Sequence, residues 1–574
     1  MKRPHLLSAL APAALCLTAL SAMALGGCKS EPKTPATGTA KAEQKAGAAG
    51  EAPKAADKVD TSLRKERNPR IFNRSLGEPE YLDPGLCSES EGGIVTHDTF
   101  EGLYVYGPSH KVWTPGVAKS HTVSEDGLTW TFELRHDSKW SDGKPVTAHD
   151  FEWSWKRVLD PKTASRYAEI LWFIKGAREY NLMEEGADAD ALRAAVGVKA
   201  KDDYTLEVQL VGPTPFFIQL TAFYTYAPVP RHVIEKHGDK WARPENIVSN
   251  GPWHVTEWKS RQSIKAEANP HYWDKANMPF DQINYLITED NATAYTMYQA
   301  GDLDYIDSKV PEAVLPRLRK ERDPELETNP YLGVYFYMFN VKEKPFDDVR
   351  VRRALNLAVD KSQIGKFVVK GGQEEAWTIV HPGLEEMGYP MPEGPEYDPD
   401  LAKKLLAEAG FPDGKGFPTF QISYNTLEGH KLIAQFIQQQ WKKNLGVVCD
   451  LDNMEWKVLL KKQHERDFQV SRSSWIGDYL DPFTFLSLWE GPNPNNRTNW
   501  AQPTYDKLMA DARVETDAQK RMQMLADAEK IFIDEVPAMP IYFYVKQDLV
   551  RPWLKGYTPH LQGVHLARHL RVEL

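Results

Sequence analysis

The chain has 574 residues, and 70 Lys and Arg stand against 80 Asp and Glu, which gives a formal net charge of −10. These charges are interleaved along the chain without a basic stripe, which argues against nucleic acid as a partner. From about residue 63 onward, roughly 510 residues carry apolar and aromatic side chains in ordinary globular proportion. Because that is more than one hydrophobic core usually covers, two or three folded lobes are expected.

The first 28 residues have the organisation of an export signal. Lys2 and Arg3 precede an apolar stretch over about residues 6–25, and the run Leu25-Gly26-Gly27-Cys28 closes it. This run looks like a bacterial lipobox, in which the cysteine is acylated and becomes the first mature residue. Residues 1–27 are therefore predicted to be a lipoprotein signal peptide and Cys28 the lipidation site, which would hold the protein on a membrane surface without a spanning helix. The alternative is a buried helix with a chance cysteine.

Residues 28–62 are rich in Ala, Lys, Pro and Gly and are predicted to form a flexible tether. Two cysteines remain beyond the signal, Cys87 and Cys449, which fit either one disulfide or two thiols. The 16 histidines are scattered, without the spacing of a structural metal site, so neither a metal nor a cofactor is expected.

Local patterns predict a mixture of strands and helices. Thr147 is predicted to begin a helix over residues 148–159, with Asp150 in its first turn and Asp160-Pro161 ending it. The other predictions are strands over 130–135, 204–210 and 253–258 and helices over 216–223, 348–359 and 400–409. In the 348–359 helix, apolar residues occupy one side, and Arg350, Arg352 and Arg353 lie around the other. Without a strand-helix-strand rhythm, these elements predict α/β lobes with mixed sheets.

Motifs of the common hydrolases and nucleotide enzymes are missing from the sequence. The carboxylate pairs Asp302 with Asp304 and Asp347 with Asp348 could act as acid and base, but such neighbours are usually solvated or helix-capping groups. No catalytic residue is assigned, and the protein is not expected to be an enzyme.

Six blocks in order along the chain resemble one family. They are FEGL (100–103), KWSDGKPVTAHDF (139–151), NIVSNGPW (246–253), FDDVRVR (346–352), AKKLLAEAG (402–410) and SWIGDYLDP (474–482). Together they resemble the extracytoplasmic solute-binding proteins of ABC importers, family 5, the dipeptide and oligopeptide-binding group. The resemblance covers nearly the whole mature length.

The resemblance implies an α/β, two-lobe hinged periplasmic-binding-protein-like fold (type II, cluster C) with an extra inserted domain. Lobe I would comprise residues 63–100, 231–332 and 546–574, the inserted domain 101–230, and lobe II 333–545. Ligand contacts on both lobes would favour the closed form, which the transporter recognises. Because Cys87 and Cys449 then fall in different lobes, two unpaired thiols are favoured over a disulfide.

The same resemblance assigns Asp478 to the terminal ammonium of a peptide. Backbone groups of residues 473–477, which include Trp475, Ile476 and Gly477, and of the segment near Gly333 would pair with an extended peptide as a neighbouring strand does. Without the resemblance, Asp478 would be interpreted as an exposed turn carboxylate.

Further residues match positions that line side-chain pockets or meet peptide C-termini. Tyr167, Trp456, Trp475 and Tyr544 match aromatic pocket positions, although each could equally be a core residue. Arg472 and His430 match positions that meet C-termini, and both could equally be surface cations.

The chain also departs from its relatives. Gly333 and Ile476 replace a cysteine pair that some relatives carry, Gln463 replaces an arginine, and Ser88 replaces an acidic pocket residue. Lys461 or Lys462 could stand in for the missing arginine. The preferred peptide length is left open.

The function that the resemblance implies is capture of oligopeptides and their delivery to an ABC permease, by a monomer anchored at the membrane on the periplasmic side. Whether the inner or the outer membrane carries the anchor is left open. The alternative is the same fold binding a nickel complex, haem, a sugar or an opine; a secreted hydrolase or a structural envelope lipoprotein comes third. Asp478 discriminates among these, because a sugar has no ammonium group to pair with it.

Overall fold

The computed structural model describes residues 67–110 and 112–574. The predicted signal peptide over 1–27, the lipidation site Cys28 and the predicted tether over 28–62 lie outside the described residues. None of the helices in the described residues has the length and apolar content that a membrane crossing needs.

The described residues form nineteen strands: β1 Ile71–Leu76, β2 Tyr104–Tyr106, β3 Trp113–Pro115, β4 Ala118–Val123, β5 Thr129–Leu134, β6 Val198–Asp202, β7 Thr205–Gln209, β8 Trp253–Lys259, β9 Ser263–Ala268, β10 Gln282–Ile287, β11 Tyr305–Ile306, β12 Leu326–Phe339, β13 Glu374–Glu375, β14 Phe420–Asn425, β15 Cys449–Met454, β16 Val470–Ile476, β17 Ala538–Val550, β18 Leu554–Lys555 and β19 Arg571–Val572.

The same part of the chain forms sixteen α-helices: α1 Ser90–Thr99, α2 Ala148–Leu159, α3 Ala177–Asn181, α4 Ala189–Ala195, α5 Phe217–Ala222, α6 Arg231–His237, α7 Asn291–Ala300, α8 Leu315–Glu321, α9 Val349–Leu357, α10 Lys361–Gln363, α11 Pro399–Glu408, α12 Glu428–Leu445, α13 Trp456–Glu465, α14 Phe483–Leu486, α15 Pro503–Val514 and α16 Ala518–Glu535. A π-helix over Ile364–Val369 continues α10.

Local sequence patterns located the predicted elements well. Helix α2 begins and ends where predicted, and the Asp150 carboxylate accepts hydrogen bonds from the Thr147 backbone N–H at 2.8 Å and from its hydroxyl at 3.0 Å. The bonds satisfy polar groups that a helix start otherwise leaves without partners. The predicted strands correspond to β5, β7 and β8, and the other predicted helices to α5, α9 and α11, all within two residues at each end.

One mixed sheet of eleven strands runs through the protein. Its order is β15-β14-β16-β12-β17-β11-β1-β10-β9-β8, with β13 paired to β17. Strand β1 is parallel to β10 and β11, and β14 is parallel to β15 and β16, whereas the other neighbours are antiparallel. The predicted mixed sheet is thus confirmed. A separate four-stranded sheet of order β4-β5-β7-β6 lies within the range predicted for the inserted domain.

From Leu332 to Phe339, strand β12 is buried on both faces. Val334, Phe336 and Met338 belong to one hydrophobic cluster, whereas Tyr335 and Tyr337 belong to another. Because successive side chains of a strand point to opposite faces, this one strand contributes to two cores.

The two longest strands, β12 and β17, pair with each other and contain the predicted boundaries between lobes, at 332/333 and 545/546. Their register is regular up to Pro330 opposite Val545, shifts before Val334 opposite Phe543, and shifts again between Tyr335 and Phe336. Such an irregularity loosens a ladder locally and bends the strand.

Cys87 and Cys449 are both buried and unpaired, as the lobe assignment led us to expect.

Candidate functional site

A cavity of about 490 Å³ lies against β16, within the usual size of small-ligand sites. Its wall includes β16 and the loop after it, part of β17, the C-terminal segment around Gln562, and Tyr167 from the range predicted for the inserted domain. Segments far apart in sequence therefore surround one space. Nine of the ten predicted ligand-binding residues line it: Tyr167, His430, Trp456, Arg472, Trp475, Ile476, Gly477, Asp478 and Tyr544.

Strand β16 presents an open edge to this part of the fold. It pairs with β12 along its whole length, from Val470 to Ile476. On its other edge it pairs with β14 only at Val470 and Ser471, and no other strand of the described residues pairs with that edge from Arg472 onward. An open edge offers backbone amide and carbonyl groups to an added strand.

Asp478 follows the end of β16. Its Oδ1 accepts a hydrogen bond from the Tyr167 hydroxyl at 3.2 Å, and its backbone N–H donates to Thr484 Oγ1 at 2.9 Å. Its carbonyl accepts from Gln562 Nε2 at 2.6 Å and from the Tyr106 hydroxyl at 3.3 Å. The backbone is thus held firmly while the carboxylate faces the cavity.

The Asp478 carboxylate has no cationic partner. Within the described residues, no Lys, Arg or His forms an ion pair with it. Burial raises the pKa of Asp478 well above its ordinary value, and the neighbouring Glu169 adds to the rise. A carboxylate in this position would be stabilised by a cation that enters the cavity.

Arg472 is the cation on β16, only 6 % exposed. Its guanidinium donates to Asn425 Oδ1 at 3.3 Å and to the Tyr544 hydroxyl at 3.1 Å, and it lies over the Tyr335 ring. No carboxylate of the described residues pairs with it. The interpretation of Arg472 as a surface cation is therefore wrong.

His430 is buried beside Arg472, so it is not a surface cation either. Its Nδ1 lies 3.3 Å from the Tyr335 hydroxyl. Burial, and after it the charge of Arg472, hold the pKa of His430 well below its ordinary value. The ring is neutral near pH 7, and Arg472 alone carries the positive charge of this pair.

The four predicted aromatic residues all contribute to the cavity wall. The rings of Tyr167 and Trp475 lie 5.8 Å apart between centroids. The indole N–H groups of Trp456 and Trp475 are buried without a hydrogen-bond partner. Buried indoles usually find an acceptor, so these two could donate to a ligand.

Gly333 is the predicted site residue that does not line the cavity. It lies opposite Ile476 across the β12–β16 ladder, and a Cβ at this position would overlap Ile476 Cδ1. The two positions are thus neighbours, and the Ile476 side chain takes the room that a larger residue at 333 would need.

The suggested stand-ins for the missing arginine lie elsewhere. Lys461 is exposed on α13 and pairs with Glu465, and Lys462 pairs with Asp452; neither lines the cavity. Gln463 is fully buried and donates to the Arg472 carbonyl at 2.7 Å. Gln463 therefore holds the backbone of β16 and does not line the cavity.

Sequence reasoning missed several charged residues of the cavity wall. Arg497 lines it and donates to Gln463 Oε1 at 2.6 Å. Lys546 of β17 lines it as well and is paired with Asp307 at 2.8 Å. Ser88, predicted to replace an acidic pocket residue of some relatives, lines the wall, and so does the neighbouring Glu89. Nothing in the local sequence around these residues indicated a shared cavity.

The chain belongs to the bacterial extracellular solute-binding proteins of family 5: the model described as "Bacterial extracellular solute-binding proteins, family 5 Middle" matches residues 112–497. The oligopeptide-binding protein OppA of Bacillus subtilis is 41 % identical over 490 residues, which cover 83 % of this chain and 88 % of the relative.

Solved structures agree. The Haemophilus influenzae OppA complex with the peptide RPPGFSPFR superposes with a TM-score of 0.83 at 34 % identity, covering 88 % of this chain and 99 % of that one. These neighbours confirm the two-lobe fold class that the sequence blocks implied.

The murein tripeptide binding protein MppA of Escherichia coli is informative because two of its structures can be compared. One gives a TM-score of 0.83, whereas its unliganded open form gives 0.60, each at 34 % identity, covering 88 % of this chain and 99 % or 98 % of that chain. Since identity and coverage of this chain are the same, the difference in TM-score reflects how the segments of the relative are arranged in its two structures. The present structure does not have the arrangement of the open form.

Proposed function

We propose that this protein captures oligopeptides with a free N-terminus outside the cytoplasm and delivers them to an ABC permease. The observation that carries the proposal is the Asp478 carboxylate, which faces the cavity without a cationic partner. A peptide ammonium supplies the missing charge, and charge-assisted hydrogen bonds are the stronger class.

The open edge of β16 supports an extended peptide as the ligand. Its backbone groups pair with any sequence, so affinity need not depend on side chains. Arg472, without a carboxylate partner, is suited to the peptide C-terminus. A peptide with its N-terminus at Asp478 and its C-terminus at Arg472 runs antiparallel to β16.

The spacing of the two charges limits the ligand. Six residues of extended chain span roughly 20 Å, which is the length of an extended peptide of about five or six residues. A shorter peptide held at Asp478 would not reach Arg472 in an extended conformation. We expect the tightest binding for peptides of five or six residues with two free termini.

Closure of two lobes on the ligand would involve the shift in register between β12 and β17. The shift lies between Pro330 and Val334, where the predicted boundary at 332/333 crosses β12. A ligand that contacts both sides of this boundary stabilises the closed form by its differential affinity.

Calorimetric titration tests the proposal. The purified chain, shown by mass spectrometry to carry no co-purified peptide, is titrated with tri- to hexapeptides and with their N-acetylated copies. We expect dissociation constants of about 1 μM or tighter for free peptides, and a loss of at least about 100-fold on acetylation. No heat with any peptide would overturn the proposal in favour of a non-peptide solute.

We further propose that Cys28 is acylated and holds the protein at a membrane. The support is the apolar stretch and the Leu25-Gly26-Gly27-Cys28 run. Mass spectrometry of the mature N-terminal peptide should show an acylated cysteine, and Cys28→Ser should release the protein from the membrane fraction. An unmodified cysteine at that position would contradict the anchor.

A further inference from the structure

A second, much smaller chamber shares Trp475 and Asp478 with the wall of the main cavity. Its volume is about 10 Å³, which is about what one water molecule requires. Glu169, Trp475, Asp478, Thr484 and Ser487 contribute polar side chains to its wall. A water in such a chamber would have several hydrogen-bonding partners, as buried waters do.

Glu169 is the group in this wall that no other role explains. It follows Tyr167 closely in the chain and is only 7 % exposed. Its Oε1 accepts from Asn495 Nδ2 at 3.1 Å, whereas its Oε2 is buried without any hydrogen-bond partner. A buried carboxyl oxygen that lacks a partner is costly unless something in the chamber bonds to it.

Burial favours the neutral form of the Glu169 carboxyl. Burial raises the pKa of Glu169 to about 8. The charge of Glu490 also raises the pKa of Glu169, whereas the charge of Arg513 lowers it. Arg513 and Glu490 form an ion pair with each other at 2.9 Å. The other titratable groups close by include the Tyr167 and Tyr479 hydroxyls and the Asp478 carboxylate. As the neutral acid, Glu169 can donate one hydrogen bond.

We propose that Glu169 is a positioning residue of the ammonium site: as the neutral acid it donates, through one water molecule in the chamber, to the Asp478 carboxylate. The proposal rests on the function proposed above. The hydrogen bond stabilises the charged form of Asp478 and keeps it available to the ligand in a site where burial works against that charge. Two acidic groups then carry one negative charge, which matches one ammonium.

The pH dependence of peptide affinity distinguishes a neutral Glu169 from a charged one. Peptide affinity should fall as the pH is lowered through the pKa of Asp478, because the protonated acid no longer attracts the ammonium. If Glu169 is a neutral donor, its removal takes a hydrogen bond from the charged Asp478. The pKa of Asp478 then rises, and affinity begins to fall at a higher pH. If Glu169 were charged, its removal would relieve its repulsion of the Asp478 carboxylate and lower the pKa of Asp478.

The experiment measures the affinity of the full chain for a free tripeptide and its N-acetylated copy between pH 4.5 and 7.5. The acid limb of each profile is the fall in affinity as the pH is lowered. For Glu169→Leu we expect about fivefold weaker binding of the free peptide at pH 7 and an acid limb moved to higher pH. For Glu169→Gln, which keeps a neutral donor, we expect affinity within about twofold of the wild type and an unmoved acid limb.

Glu529→Gln is the matched control. Glu529 is also a buried glutamate whose pKa burial raises, to about 7, but it is bonded by Ile379, Val380 and Tyr389 and does not line the cavity. It should leave the pH profile of binding unchanged.

Each outcome decides the matter. An acid limb that moves to lower pH in Glu169→Gln overturns the proposal, because it shows a charged Glu169. An unchanged affinity and profile in Glu169→Leu overturns it in favour of a purely structural residue. If Glu169→Leu fails to fold, the profile of Glu169→Gln alone still separates the charged from the neutral form. If the wild type binds free and acetylated peptides equally, it is the proposed function that fails.

Discussion

Asp478 and Asp481 lie three residues apart in the segment after β16, and their surroundings are opposite. Asp481 is buried and paired with Arg521 through both oxygens, at 2.7 and 2.8 Å. Asp478 has a tyrosine hydroxyl on one oxygen, a cavity in front of it, and no cation within the described residues. The counter-charge of Asp481 is part of the protein, whereas the counter-charge of Asp478 would come from a ligand.

The difference shows how a protein separates stability from binding in one short segment. A buried carboxylate with a paired arginine holds two elements together, and removing either partner leaves an uncompensated charge. A buried carboxylate without a cationic partner costs folding free energy, and a cation that arrives offsets that cost. Four substitutions test this division.

Asp478→Asn should have the largest effect on binding. The ammonium of a bound peptide would lose its charged partner, which we expect to cost about 3 to 5 kcal/mol, or at least about 100-fold in affinity. Calorimetry with free and N-acetylated tripeptides measures this. The free energy of unfolding in denaturant should stay the same or rise, because an unpaired buried carboxylate has been removed; a large loss of stability would contradict the division.

Asp481→Asn should do the reverse. It leaves Arg521 buried without a partner, so the free energy of unfolding should fall by about 3 kcal/mol, measured by guanidinium unfolding. The folded protein should bind tripeptides within about threefold of the wild type. Loss of binding with unchanged stability would show that the two aspartates share one role.

Arg472→Gln tests the other end of the cavity. A peptide carboxylate would lose a charge-assisted contact of about 2 kcal/mol, roughly 30-fold in affinity. The test uses penta- and hexapeptides; their C-terminally amidated copies lack that carboxylate and should bind the variant and the wild type equally. An equal loss for both kinds of peptide would mean that Arg472 shapes the cavity rather than pairing with the C-terminus.

Tyr167→Phe should have the smallest effect. It removes the hydrogen bond from the Tyr167 hydroxyl to Asp478 Oδ1 and should weaken free peptides by about 1 kcal/mol, or about fivefold. Tyr226→Phe is the matched control, because its hydroxyl donates to the Ile170 carbonyl at 2.8 Å and does not line the cavity. A similar loss of affinity in both variants would point to packing, not to the hydrogen bond.

The sequence by itself determined the local elements and the kind of ligand-binding residue. Helix α2 could be placed because Thr147, Asp150 and Asp160-Pro161 mark its ends by chemistry that acts over a few residues. The family resemblance pointed to Asp478, within the 474–482 block, and to Arg472, which matches a position that meets peptide C-termini, and both line the cavity.

The tertiary structure alone decided what depends on distant segments. The run from Leu332 to Phe339 is apolar without alternation, so no period marked β12 as a strand with a core on each face. Arg352, predicted on the polar side of its helix, is buried because its guanidinium donates to the carbonyls of Phe346 and Glu535. Glu169 and Asp478 line one chamber only because the fold joins segments about 300 residues apart, and no local pattern indicates such a meeting of distant segments.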